Sequence, residues 1–171
     1  MASIVKAKKE NFQLLADIGR LSFIESHGSS ASKGNIDNYV NEKYNSDVFK
    51  EELNDFKNIY HIIYHDSIPV GFSKIILNTP HSNIQTENVT KLERLYLLKD
   101  FYGLKLGIGL LNFNVELSRK NNQAGMWLFV WKENQRAVNF YKRTGFQIIG
   151  SYDFKLTETH SNPNHQMFFK Y

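Results

Sequence analysis

Residues 126–146 read MWLFVWKENQRAVNFYKRTGF. The run Met126 to Trp131 is wholly apolar, with the length and aromatic content of a buried strand. Asn134 then stands where a helix cap would, a short helix carries Phe140 and Tyr141, and Gly145-Phe146 closes it. Upstream, residues 92–111 read LERLYLLKDFYGLKLGIGLL: an apolar strand, a short loop, a Gly-containing turn, then a helix. Glycines at a helix start let backbone N–H groups approach a ligand, and the helix N-terminus adds partial positive charge. The turn therefore suits a phosphate. A pyrophosphate cradle followed by an Asn-plus-Tyr element is not the order of a dinucleotide fold.

Working outward, strands and helices alternate. A short strand is expected over 3–8. Phe12, Leu15, Ile18, Leu21 and Phe23 recur at helical spacing and predict a helix over 10–25. Residues 26–34 (SHGSSASKG) read as a loop, and 35–44 and 47–55 as two short helices. Strands over 60–65 and 69–77, joined at Asp66-Ser67, predict a hairpin. A polar loop follows over 78–90. Two further strands are expected over 147–154 and 165–171, with a polar loop between. There is no internal repeat and no low-complexity tract. Hairpins on both sides of the alternating half favour a mixed sheet over a purely parallel one.

Composition narrows the function classes. A chain of 171 residues with 42% hydrophobic and 22% charged residues is expected to form one domain with a real core. The absence of cysteine rules out a disulfide framework, a thiolate metal site and a Cys nucleophile. No apolar leader follows MASIVKAKKE and no run has the length of a membrane span, so a cytoplasmic location without membrane partners is expected. The net charge of +4 favours an anionic ligand. The basic residues are scattered among acidic ones, which argues against nucleic acid as a partner. His27, His61, His65, His81, His160 and His165 show no ligand spacing with carboxylates, so no metal is expected. No Gly-x-Ser-x-Gly turn supports a serine hydrolase.

Together the two segments resemble the core motifs of the GNAT superfamily of acetyl-CoA-dependent N-acetyltransferases. That family's phosphate turn runs Arg/Gln-x-x-Gly-x-Gly/Ala, then two residues, then usually a Leu pair. Aligned without gaps on Leu110-Leu111, Tyr102 takes the Arg/Gln position, Lys105 the first Gly and Gly107 the second. Two of three signature residues thus depart from the pattern. A shifted reading through Gly107-Ile108-Gly109 needs two extra loop residues, and the ungapped one keeps the loop length. The later motif, from Asn134 through Ala137-Val138-Asn139-Phe140-Tyr141 to Gly145-Phe146, matches closely. The likeness covers residues 68–154, and the first half only in element order. Leu92–Leu97 and Asn139–Arg143 are most similar to the spermidine/spermine N-acetyltransferases and related bacterial enzymes.

The resemblance implies an α+β fold spanning 1–171: a mixed, mostly antiparallel sheet of six to seven strands flanked by helices, with a splayed central parallel pair. It implies acetyl-CoA as co-substrate. Backbone groups of Leu95, Tyr96 and Leu97 would pair with its pantetheine arm. Tyr102, Gly103, Leu104, Lys105, Leu106, Gly107, Ile108 and Gly109 would cradle its pyrophosphate. Asn134 would touch the arm or serve only as a helix cap.

Acetyl transfer needs a neutral amine, and free alkylamines have pKa values near 10. Glu93 matches the position of the family's general base; it can equally pair with Lys91 or Arg94. Tyr141 matches the general acid that protonates the leaving thiolate; it can equally be a core aromatic. Phe23, Glu25, His27 and Tyr39 are candidates for the acceptor pocket. Glu25, Asp37, Glu42 and Glu87 would supply acidity for a polyamine. The expected function is acetylation of a small-molecule amine, with a polyamine as the narrower candidate. The alternatives are a protein or peptide N-terminus as acceptor, and a non-catalytic CoA-binding or interaction domain. A homodimer is left open.

Overall fold

The computed structural model describes residues 1–171. In chain order it holds β1 (Ala2–Lys6), α1 (Phe12–His27), α2 (Lys33–Lys43), α3 (Ser46–Asn54), β2 (Ile59–His65), β3 (Ile68–Ile76), β4 (Thr90–Leu97), α4 (Leu106–Lys120), β5 (Gly125–Trp131), α5 (Gln135–Arg143), β6 (Gln147–Lys155) and β7 (Ser161–Lys170). The seven strands form one sheet in the order β1-β2-β3-β4-β5-β7-β6. β4 and β5 are parallel, with Thr90 opposite Met126 and Lys91 opposite Trp127. The pairs β1–β2, β2–β3, β5–β7 and β6–β7 are antiparallel. This is the expected mixed α+β sheet.

The chain forms two compact units, Met1–Ile75 with Arg94–Asn114, and Ile76–Glu93 with Val115–Tyr171. In the first unit, local chemistry starts the elements. Ser32 caps α2 by accepting from the Asn35 amide, and Asn45 caps α3 by accepting from Asp47 and Val48. The β2–β3 hairpin turns at Asp66 and Ser67, both with positive φ (48° and 65°). That is the mirror-image turn whose twist matches the strands. One face of this unit buries Phe49, Tyr60, Ile62 and Phe72; another cluster joins Ile63, Val70, Leu106 and Leu110, with Leu95, Leu97 and Phe101 packed on it.

In the second unit Met126, Leu128 and Met167 are buried, and Thr90 Oγ1 meets Ser118 Oγ at 2.6 Å. β7 starts at Ser161 and so takes in Pro163, residues expected to be loop. Proline lacks an N–H and weakens the strand signal. Here its carbonyl still accepts from the Lys132 amide at 2.9 Å.

Candidate active site

The chain leaves β4 through a short 3-10 turn, Lys99–Phe101, and reaches α4 through Tyr102–Lys105. Gly103 and Lys105 both have positive φ, 83° and 60°. Left-handed backbone is costly for a side chain other than glycine. The ungapped alignment places Lys105 at a glycine position, and the backbone shows why glycine suits it. Gly107 and Gly109 lie inside α4, and neither is in the left-handed region. The shifted reading thus assigns the turn glycines to helix. The Gly109 amide donates to the Lys105 carbonyl at 3.1 Å, the first bond of the helix. The amides of Leu106, Gly107 and Ile108 precede it and have no intrahelical acceptor. A Cβ on Gly107 would meet nothing within 4 Å, so this side of the first turn is uncrowded. Exposed Lys105 adds a positive charge at the same turn. Amides, dipole and charge together fit a pyrophosphate.

Along β4, the Leu98 amide donates to the Val70 carbonyl at 2.9 Å. Backbone groups alternate along a strand, so those of Leu95 and Leu97 point away from β3. They form the edge an extended ligand arm would pair with. Side chains alternate too. Leu95 and Leu97 pack on the α4 cluster, whereas Arg94 and Tyr96 reach the opposite face, where the Tyr96 and Tyr44 hydroxyls meet at 2.8 Å.

The acceptor candidates belong to an aromatic cluster on α1 and α2. Phe23 is 3% exposed, stacks on His27 at 4.7 Å and on Tyr39 at 4.9 Å, and touches Tyr44 at 5.4 Å. Phe23 is thus the centre of a packed stack, and His27 and Tyr39 are its flanks. Burial lowers the His27 pKa to about 4, so the ring is neutral at pH 7. Its Nδ1 lies 2.7 Å from the Ser26 hydroxyl. Glu25 turns elsewhere: its carboxylate accepts from the Lys99 amide at 2.9 Å.

Behind this cluster is a group the sequence did not single out. Glu52 accepts from Lys74 at 2.8 Å, from Arg94 at 3.2 Å, and from the Tyr60 hydroxyl. Burial pushes its pKa up, but Arg94, Lys74 and Tyr60 outweigh this and hold it below the usual range. Arg94 also lies over the rings of Tyr44 and Phe49, at 5.4 and 5.2 Å. Burial, with Tyr96 adding to it, raises the Tyr44 phenol well above its ordinary value, so that phenol stays neutral. Arg94 and Tyr96 share a face two residues apart, a signal readable from strand alternation. Glu52 is one of four carboxylates in or beside a short polar helix, and nothing local distinguishes it.

In the second unit, Lys91 Nζ lies 3.4 Å from Glu93 Oε1 and 5.4 Å over the Trp127 ring. Glu93 therefore does have the Lys91 neighbour the sequence allowed. Asn134 is a helix cap, its Oδ1 accepting from the Ala137 amide at 3.2 Å. Tyr141 is 8% exposed, its ring against Phe140 and Phe146 at 5.2 and 5.4 Å. Phe146 in turn touches Phe169, which pairs with Met126. Trp127 and Met126 are consecutive on β5 and face opposite sides. Glu93 and Tyr141 thus stand on opposite faces of the sheet in this unit.

Comparison with known proteins agrees with this geometry. The sequence profile described as the Acetyltransferase (GNAT) family matches residues 26–146. The chain belongs to the GNAT acetyltransferase family, and is an acyltransferase by that membership. It is 25% identical over 153 residues to an uncharacterized N-acetyltransferase encoded in the pepI 3' region of Lactobacillus delbrueckii subsp. lactis, covering 90% of this chain and 88% of that protein. It is 24% identical over 149 residues to the spermidine N(1)-acetyltransferase of Thermoplasma acidophilum, covering 85% and 88%. The crystal structure of the PaiA N-acetyltransferase of Thermoplasma acidophilum, in complex with coenzyme A, superposes with a TM-score of 0.79 at 22% identity, covering 100% of this chain and 99% of that one. That likeness bears on the fold. No helix is long and apolar enough to cross a membrane.

Proposed function

We propose that residues 1–171 act as one cytoplasmic N-acetyltransferase domain that transfers the acetyl group of acetyl-CoA to a small-molecule amine by direct attack in a ternary complex. The observation that carries this is the turn at Lys105, with φ of 60°, which leads into a helix whose first amides, Leu106, Gly107 and Ile108, have no intrahelical acceptor. Tyr102, Gly103, Leu104 and Lys105 complete the pyrophosphate cradle. The free edge of Leu95 and Leu97, with Tyr96 between them, pairs with the pantetheine arm. The Leu97 amide polarises the thioester carbonyl.

The amine nitrogen attacks the carbonyl carbon, and the C=O π pair moves onto oxygen. Glu93, through a water, takes the proton that the nitrogen sheds. The oxyanion then collapses, the C–S bond breaks, and Tyr141 protonates the departing sulfur.

The similar spermidine N(1)-acetyltransferase supports a polyamine as acceptor. The carboxylates considered for such a site are largely engaged: Glu25 by the Lys99 amide, Asp37 by Lys33 at 2.5 Å, and Glu42 by Lys43 at 2.8 Å. That leaves a peptide N-terminus as the second reading. A thiol-release assay with acetyl-CoA across a panel of alkylamines, polyamines and peptides tests the proposal. Release with any of them supports it. No release, together with no thermal shift at millimolar acetyl-CoA, sinks it.

A further inference from the structure

β7 carries three amide side chains on one face: Asn162, Asn164 and Gln166, exposed by 4%, 8% and 0%. In register, Asn164 lies between Trp131 of β5 and Tyr152 of β6, and Gln166 between Phe129 and Gly150. Phe129 and Tyr152 come from the two strands that flank β7, yet their rings stack at 4.4 Å and 21°. The stack therefore roofs the strand between them, and the side-chain amides of Asn83 and Gln166 fill the space that a Cβ on Gly150 would take, at 2.8 and 3.1 Å. Asn83, an exposed residue of the 77–89 loop, closes one side, its Nδ2 donating to Gln166 Oε1 at 2.7 Å.

Under this roof two polar atoms have no hydrogen-bond partner: Asn164 Oδ1, an acceptor, and Gln166 Nε2, a donor. An unmatched buried amide costs stability, and an apolar residue of the same size would remove the cost. Such departures from good packing are expected where function requires them. A free acceptor and a free donor two residues apart are the complement of one chemical group, an amide with its own N–H and C=O.

Resting on the acetyltransferase reading, we propose that Asn164 and Gln166 recognise an amide group carried by the acceptor beside its amine. The acceptor's N–H donates to Asn164 Oδ1, and its carbonyl accepts from Gln166 Nε2. The half-exposed Tyr152 ring swings aside to admit it and closes over the amide plane. The acceptor class is an aminoacyl amide, as in glycinamide or a peptide N-terminus, in preference to a plain alkylamine or polyamine.

The test compares kcat/KM for glycinamide and n-propylamine in the wild type, Asn164→Leu and Gln166→Met. The ratio of the two values cancels the amines' intrinsic reactivities between variants. We expect each substitution to lower the ratio about tenfold, through the glycinamide KM, while Tm stays level or rises. A ratio unchanged in both variants overturns the proposal. Both tryptophans of the chain, Trp127 and Trp131, lie on this face. Titration with glycinamide should give a saturable change in their emission that Asn164→Leu weakens at least tenfold; the same titration curve in both proteins overturns the proposal. If no amine is acetylated at all, the acetyltransferase reading fails, and this titration alone still decides the amide site.

Discussion

Phe146 donates its amide to the Tyr141 carbonyl at 3.0 Å, and the two rings touch at 5.4 Å. Gly145, with φ of 99°, donates to Lys142 at 3.2 Å. This is a Schellman helix end with its usual hydrophobic contact. The spacing Tyr141…Gly145-Phe146 is therefore a folding signal. The helix stop fixes the last turn of α5, and with it the tyrosine backbone.

Tyr141→Phe keeps that ring contact and removes only the hydroxyl. We expect kcat to fall by roughly 10²- to 10⁴-fold, the range for a lost general acid. Acetyl-CoA affinity, measured by calorimetry, should change little. An unaltered kcat removes Tyr141 from the mechanism.

Glu93→Gln should slow turnover most at low pH, where the amine is protonated and a base matters most. Towards pH 10, near the pKa of a free alkylamine, the defect should shrink. Initial rates across this range for both proteins provide the check. A constant defect would assign Glu93 to binding or structure.

Gly107→Asp places a carboxylate in the first turn of α4 where nothing lies within 4 Å. An acidic residue there suits the helix dipole, so Tm without ligand should hold or rise. Acetyl-CoA binding should be lost through like charge beside the pyrophosphate. Thermal shift with and without acetyl-CoA separates the two effects, and retained affinity would move the cradle elsewhere.

Glu25 ties the end of α1 to the Lys99 amide, six residues before Lys105. Glu25→Ala should raise the acetyl-CoA KM about fivefold, close to 1 kcal/mol for an exposed charge-assisted bond. Glu25→Gln keeps an acceptor oxygen and should restore most of it. If both variants instead raise only the amine KM, Glu25 belongs to the acceptor pocket.

Burial, with a smaller push from Lys6, lowers the His61 pKa to about 4, and burial does the same to His27. An unfolded histidine titrates near 6.5. Between those values the unfolded chain binds more protons than the folded one. Stability is therefore present above pH 6.5 and declines as pH falls towards 4, by up to about 1.4 kcal/mol per pH unit for each group. Denaturant midpoints from pH 7 to 4 should show this slope, and His61→Leu should reduce it. A slope that is the same in wild type and variant would place the coupling in other groups.

Local rules settled much of this protein. The Asp66-Ser67 turn, the Asn134 cap, the Gly145-Phe146 helix stop and the apolar β5 each follow from residues within one helical turn or one strand. Their order along the chain was enough to indicate the sheet. Tertiary structure decided what depends on distant partners. The alignment set Lys105 at a glycine position, and the folded turn gives it a glycine's backbone, with φ of 60°. Glu25 looks like an acceptor-site carboxylate until Lys99, 74 residues on, meets it. Glu52, Arg94 and Tyr60 are unremarkable singly and become one buried network through contacts 34 and 42 residues apart. Asn164 and Gln166 read as ordinary polar strand residues. Only the Phe129–Tyr152 stack that closes over them turns their free amide ends into a site, since exposure to water would have satisfied both.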